Sequence, residues 1–132
     1  MSLLSDKKSH QFQWISKEFK QLTVDELYSI LNLRIEVFMR EQSCLYPETD
    51  YYDQQALHVW PTTNDGLMLA YARILPPHTL YHGTKSSSAR IGRVIVAKTA
   101  RGTGLSYHLM EKAISIIQEL YSSDIEISAQ AH

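Results

Sequence analysis

Hydrophobic and polar residues alternate with two different periods along this chain, and the points where the period changes mark its elements. Phe12 and Trp14 alternate with Gln11 and Gln13, which predicts a short first strand. Thr23-Val24-Asp25-Glu26 has the form of a capping box, with Leu22 and Leu27 placed to staple it. A helix follows on Leu27, Ile30, Leu31, Val37 and Phe38. Residues 41–53 lose the period, and Pro47 opposes further helix. Residues 57–60 form a second strand, Asn64-Asp65-Gly66 a hairpin-type turn, and residues 66–75 a longer strand pairing antiparallel with the second. Pro76-Pro77 ends that strand, and a polar loop runs on through Lys85-Ser86-Ser87-Ser88. After a strand at 90–97, Leu105, Leu109, Ala113, Ile116 and Leu120 form one helical row and Met110, Ile114, Ile117 and Tyr121 another. A helix over 104–121 with so wide an apolar face belongs against a sheet. In residues 124–131, Ile125, Ile127, Ala129 and Ala131 share one face of a last strand.

The order is β-α-(α or loop)-β-β-β-α-β, a single α/β (α+β) domain over residues 1–132 with a mixed, mostly antiparallel sheet. Its last three elements form a β-α-β unit, for which a right-handed crossover is expected. The chain has neither an internal repeat nor a composition shift that marks a linker.

Composition narrows the function. With 132 residues, 44% of them hydrophobic, the chain can bury a core, and 20% charged residues suit a globular rather than a disordered protein. A net charge of −1 carries no basic excess for nucleic acid. No apolar run approaches the roughly 20 residues of a membrane helix. The N-terminus lacks an apolar signal core, so a cytoplasmic location is expected. Cys44 is the only cysteine, which excludes an intrachain disulfide. Charge is uneven, however: no Asp or Glu stands between Asp65 and Glu111, while Arg73, Lys85, Arg90, Arg93, Lys98 and Arg101 do. Such a one-signed field favours an anionic ligand.

The centre of that field is the strand ending in Val94-Ile95-Val96-Ala97 and the loop Arg101-Gly102-Thr103-Gly104-Leu105-Ser106 that opens the second helix. Amides at a helix start, freed by glycines for close approach, make a seat for a phosphate or pyrophosphate. A P-loop would need Gly-Lys-Ser/Thr there, and Leu105 follows Gly104. A dinucleotide fingerprint would need a third glycine where Tyr107 stands. Elsewhere, Arg34 interrupts an apolar stripe and wants a carboxylate partner or an anionic ligand. The acidic segment 41–53, with Tyr46, Tyr51 and Tyr52, reads either as a lining for a cationic amine or as a surface loop. His78 and His82 have metal-ligand spacing but sit in a loop without a third ligand, so no metal is expected.

The loop resembles the Arg/Gln-x-x-Gly-x-Gly/Ala signature of the GNAT N-acetyltransferase superfamily, with Ser106 in place of the usual glycine or alanine. The resemblance extends to its ElaA-like branch through Leu33-Arg34-Ile35-Glu36-Val37-Phe38-Met39-Arg40-Glu41-Gln42, Cys44-Leu45-Tyr46, Ala70-Tyr71-Ala72-Arg73-Ile74-Leu75, Ile91-Gly92-Arg93-Val94-Ile95-Val96 and Ala129-Gln130-Ala131-His132. It implies the GNAT acyl-CoA N-acyltransferase fold, acetyl-CoA as co-substrate, and transfer to a primary amine of a small molecule or peptide. It places the pantetheine arm along Val94, Ile95 and Val96. The pyrophosphate falls on the amides of Gly102, Thr103, Gly104, Leu105, Ser106 and Tyr107, beside Arg101. The acetyl carbonyl would be polarised by a backbone N–H of Ile95 or Val96.

Many relatives carry a glutamate on the preceding strand; this chain has Arg90 and Arg93 there. A water relay, His58, Glu41 or His132 is then expected to take the amine's proton, with Arg34, Glu41 and His58 expected near the substrate and His132 near the chemistry. Direct transfer needs no covalent intermediate, so Cys44 is not expected to act as a nucleophile. Relatives continue beyond the position of His132 with a tyrosine-bearing helix and two strands. A shortened sequence, a naturally short product, or a second copy covering the last strand in a homodimer would each account for that. Two other readings stay open: a non-catalytic acyl-CoA-binding protein, and acyl-homoserine-lactone synthesis on a related fold.

Overall fold

The computed structural model describes residues 12–41 and 49–127, with side chains described for 12–37 and 49–127. A five-stranded sheet runs in the order β1 (Gln13–Glu18), β2 (Leu57–Thr62), β3 (Ala70–Leu75), β6 (Ala89–Val96), β7 (Ile125–Ile127). The first four strands pair antiparallel and β6 pairs parallel with β7. Between β3 and β6 lies a small separate hairpin, β4 (Leu80–Tyr81) and β5 (Thr84–Lys85). Helix α1 (Val24–Glu41) follows β1, and α2 (Leu105–Leu120) joins β6 to β7.

Side-chain alternation sends successive strand residues to opposite faces, and each face has its own core. Leu57, Val59, Ala72, Ile74 and Ile91 pack with Leu105, Leu109, Ala113 and Ile117 of α2. Trp60, Tyr71 and Ile95 pack with Ile30, Leu33 and Val37 of α1. The two helices therefore cover opposite faces of one sheet. Helix α1 starts at the capping box foreseen: the Glu26 amide donates to Thr23 Oγ1 at 3.0 Å and the Thr23 amide to Glu26 Oε1 at 2.9 Å. Lys17 of β1 also bridges to Glu26 at 2.9 Å.

Three elements differ from the sequence reading. β1 runs on to Glu18, because its pairing with β2 extends across all six residues. β3 begins at Ala70 rather than at 66, because Gly66 at φ +76° belongs to a turn closed by its amide donating to the Thr63 carbonyl. Within the expected loop 76–88, His82 and Gly83 at φ +50° and +80° make a two-residue hairpin turn between β4 and β5. His-Gly here does what Asn-Gly does more often, so the pair carries little turn signal in the sequence. The last expected strand is described through Ile127; Ala129, Ala131 and His132 lie outside the described residues. Among the described residues, no helix is long and apolar enough to cross a membrane.

Candidate active site

The centre of the site is an irregularity in β6. Tyr71 lies opposite Ile95 and Arg73 opposite Gly92, so Arg93 and Val94 together face the single residue Ala72. This is a β-bulge, with Arg93 at φ +50°. Beyond it the Ala97 amide donates to the Leu69 carbonyl at 2.7 Å. Alternation along an extended strand then turns the Ile95 amide toward β3 as well, and the amides of Val94 and Val96 toward the opposite edge. Of the two donors expected for the acyl carbonyl, Ile95 is therefore committed to β3, with its side chain buried under α1. Val96 presents its amide to the edge on the β7 side.

Along β6 the bulge lies between two concavities. Toward its start is a cleft of about 450 Å³ lined by Arg73, Leu75, Tyr81, Arg90, Gly92 and Glu126, among others. Arg90 Nε lies 3.3 Å from Glu126 Oε2, and its guanidinium stands 5.1 Å from the Tyr81 ring centre. Toward its end is a groove of about 270 Å³ between Leu33, Glu36 and Val37 of α1 and Ala97, Lys98, Thr99 and Arg101.

The groove leads to the loop that opens α2. A single 3-10 turn (Lys98–Ala100) comes first, and Thr103 Oγ1 donates to the Ala100 carbonyl at 2.6 Å, which fixes the loop from within. Gly102 and Gly104 both adopt left-handed φ, +78° and +82°. A Cβ on Gly102 would meet nothing within 4 Å, so the space above the loop is open. Leu105 buries its side chain in the core, while Ser106 and Tyr107 are exposed. The first amides of α2 have no helical acceptor, and Lys98 and Arg101 are exposed beside them. Open space, helix-start amides and two cations fit a phosphate-bearing ligand.

On the α1 side of the bulge lies a buried ionic chain, in which Arg34 has the carboxylate partner its place in an apolar stripe called for, and whose other members the sequence does not point to. Asp53 Oδ1 accepts from Arg34 Nη1 and from Arg73 Nη1, each at 2.9 Å. Arg73 grips Asp50 with both terminal nitrogens, at 2.8 and 2.9 Å, and Arg93 Nη2 donates to Asp50 Oδ2 at 3.1 Å. Three arginines thus alternate with two aspartates. Burial alone would raise the Asp50 pKa, but the hydrogen bonds and charge of Arg73, the Tyr52 amide and the charge of Arg93 hold it below the usual carboxylate value. Asp50 and Asp53 are therefore committed to arginines, which corrects their reading as a lining for a cationic amine.

The chain also relocates two expected substrate contacts. Arg34 is wholly buried, paired with Asp53 and 5.8 Å from the Tyr71 ring centre. His58, also wholly buried, lies 2.9 Å from the Asp53 carbonyl through Nε2 and 2.6 Å from the Tyr71 hydroxyl through Nδ1. A carbonyl only accepts, so Nε2 carries the proton and the Tyr71 hydroxyl donates to Nδ1. Burial holds Tyr71 well above the usual phenol pKa, so it remains a donor. Both Arg34 and His58 are thus buried structural groups rather than substrate contacts. Glu41's side chain and all of His132 lie outside the described residues. No cluster of three metal-ligating side chains occurs among the described residues.

Burial pushes the His58 pKa down, the charges of Arg34 and Arg73 push the same way, and together they outweigh the Asp53 carbonyl and carboxylate. A folded pKa below the usual 6.5 means that the unfolded chain binds the proton more readily. The contribution of His58 to stability is then complete above pH 6.5 and is lost as pH falls from there toward the folded pKa. Melting temperature should fall between pH 7 and pH 5.5, and His58→Gln should flatten that slope. An equal slope in the variant would place the titration elsewhere.

Comparison with known proteins agrees with this geometry. Residues 18–127 match the family described as the acetyltransferase (GNAT) domain. A UPF0039 protein of Synechocystis is 35% identical over 92% of this chain and 77% of its own. The crystal structure of an acyl-CoA N-acyltransferase from Pseudomonas aeruginosa superposes with a TM-score of 0.78 at 39% identity, covering 92% of this chain and 81% of that one. The crystal structure of Escherichia coli ElaA gives 0.78 at 33% identity, over 92% and 80%. The sheet order, the bulged strand, the glycine loop and these matches together place the protein: it belongs to the GNAT acetyltransferase family and has that family's acyltransferase fold.

Proposed function

We propose that the chain transfers an acetyl group from acetyl-CoA to a primary amine of a small molecule or peptide by direct attack. The observation that carries this reading is the position of the β6 bulge, between a groove ending at a phosphate seat and a cleft open to a second reactant. Acetyl-CoA, when bound, supplies the activated thioester. Amides at residues 102–107 hold its phosphates, with charge from Lys98 and Arg101. Val94 and Val96 offer main-chain groups to its arm, and the Val96 amide is placed to donate to the acyl oxygen, where charge develops during transfer. Glu126 and Tyr81 line the cleft on the acceptor side. Fixing both reactants about one bulge supplies acceleration through orientation alone.

The test is release of free thiol from acetyl-CoA with a panel of primary amines. Amine-dependent release is expected, and saturable binding without turnover of any amine would instead support a non-catalytic acyl-CoA-binding protein. Arg101→Ala should weaken CoA binding more at low salt than at high salt, because an exposed charge acting on a phosphate is screened by ions. An equal loss at every ionic strength would assign Arg101 a structural role.

A further inference from the structure

We infer that Arg93 and Asp50 are positioning residues for acyl transfer: their ion pair holds the β6 bulge in the shape that turns the Val94 and Val96 amides to the sheet edge. This inference rests on the function proposed above.

A bulge of this kind must be held by something. Arg93 sits at φ +50°, a backbone region that side-chain-bearing residues adopt sparingly and glycine adopts freely. A residue kept there without being glycine is held by its surroundings. The side chain supplies the hold. Arg93 Nη2 donates to Asp50 Oδ2 at 3.1 Å, with both side chains largely buried, at 13% and 14% exposure. Asp50 is itself fixed, because Arg73 clasps both its oxygens and the Tyr52 amide donates to Oδ1 at 3.1 Å.

Arg73 rises from β3 directly opposite Gly92, the residue before the bulge. The clamp therefore spans the irregular stretch: Arg73 anchors Asp50 from the neighbouring strand, and Asp50 anchors the bulged residue. One residue further on is Val94, and two beyond that is Val96. A shift of the Arg93 backbone toward ordinary strand geometry would remove the extra residue's offset and rotate both amides. The phosphate seat at residues 102–107 is set separately, by Gly102, Gly104 and the Thr103–Ala100 hydrogen bond.

Two variants separate this role from plain structural support. Arg93→Gly removes the clamp but puts at φ +50° the residue best suited to it, so the variant should fold. Asp50→Asn keeps the shape but weakens the ionic hold. In both, kcat should fall at least tenfold while the dissociation constant for acetyl-CoA changes less than threefold. Arg93→Lys, which retains a cation, should recover part of the loss relative to Arg93→Gly. Independently of turnover, exchange of the Ile95 amide, which faces β3 just past the bulge, should quicken at least tenfold in Asp50→Asn, with exchange at Ala113 and Ile117 in the α2 core unchanged. Unchanged exchange at Ile95 would overturn the clamp whatever the enzyme's activity. Equal losses in kcat and CoA affinity would overturn the positioning role and make the pair a general support. Failure of wild-type protein to bind acetyl-CoA would instead count against the function on which this inference rests.

Discussion

Asp53→Ala is expected to lower folding stability by roughly 3–5 kcal/mol, the range for removing one member of a buried ion pair and stranding the other. Here the removal takes a shared acceptor from two buried guanidiniums at once. Arg34 is fully buried and Arg73 2% exposed, and both donate to the same carboxylate oxygen of Asp53. Without that oxygen, two guanidiniums would share the site with Asp50 as the remaining described carboxylate. Arg34, on α1, would also lose its ion pair with the loop that carries Asp53. Urea denaturation checks this directly, as a lower midpoint at an unchanged slope. A loss below about 1 kcal/mol, the size of an exposed ion pair, would mean that water reaches the cluster.

The second large effect concerns the ligand. Gly104→Val is expected to weaken CoA binding at least tenfold, or about 1.4 kcal/mol. Gly104 is the N-cap of α2 at φ +82°, where a β-branched residue is strained and its methyl groups stand beside the helix-start amides. The strain also costs about 1–3 kcal/mol of stability, so melting temperature should drop without loss of the fold. Comparing CoA affinity with the far-ultraviolet circular dichroism of the same sample separates the two effects. Unchanged affinity in a folded variant would remove the loop from the phosphate site.

The elements with a strong period were readable in the sequence. Helix α1 starts where Thr23 and Glu26 cap it, and α2 buries Leu105, Leu109, Ala113, Ile116 and Ile117 almost as its two apolar rows require. The backbone of the glycine loop was readable because left-handed φ at Gly102 and Gly104 is a local property that the residue type announces. What the sequence hid depends on contacts between distant residues. Arg34, Arg73 and Arg93 look alike as isolated cations in apolar stretches; only the fold brings Asp50 and Asp53 against them, across 19 to 43 positions of chain. The same cause misdirected His58, whose partners Tyr71 and the Asp53 carbonyl meet it through strand pairing and a turn. The bulge was equally hidden, since Gly92-Arg93-Val94 carries no glycine at the left-handed position to announce it. Without the bulge, the choice between Ile95 and Val96 as amide donor had no basis, and register alone decides it.

The most direct test of the central claim is calorimetric titration of acetyl-CoA into this 132-residue chain. The geometry of the loop, groove and bulged strand predicts saturable binding of one acetyl-CoA per chain in the micromolar range. No binding by a sample shown to be folded would contradict the assignment of residues 101–107 as its phosphate seat.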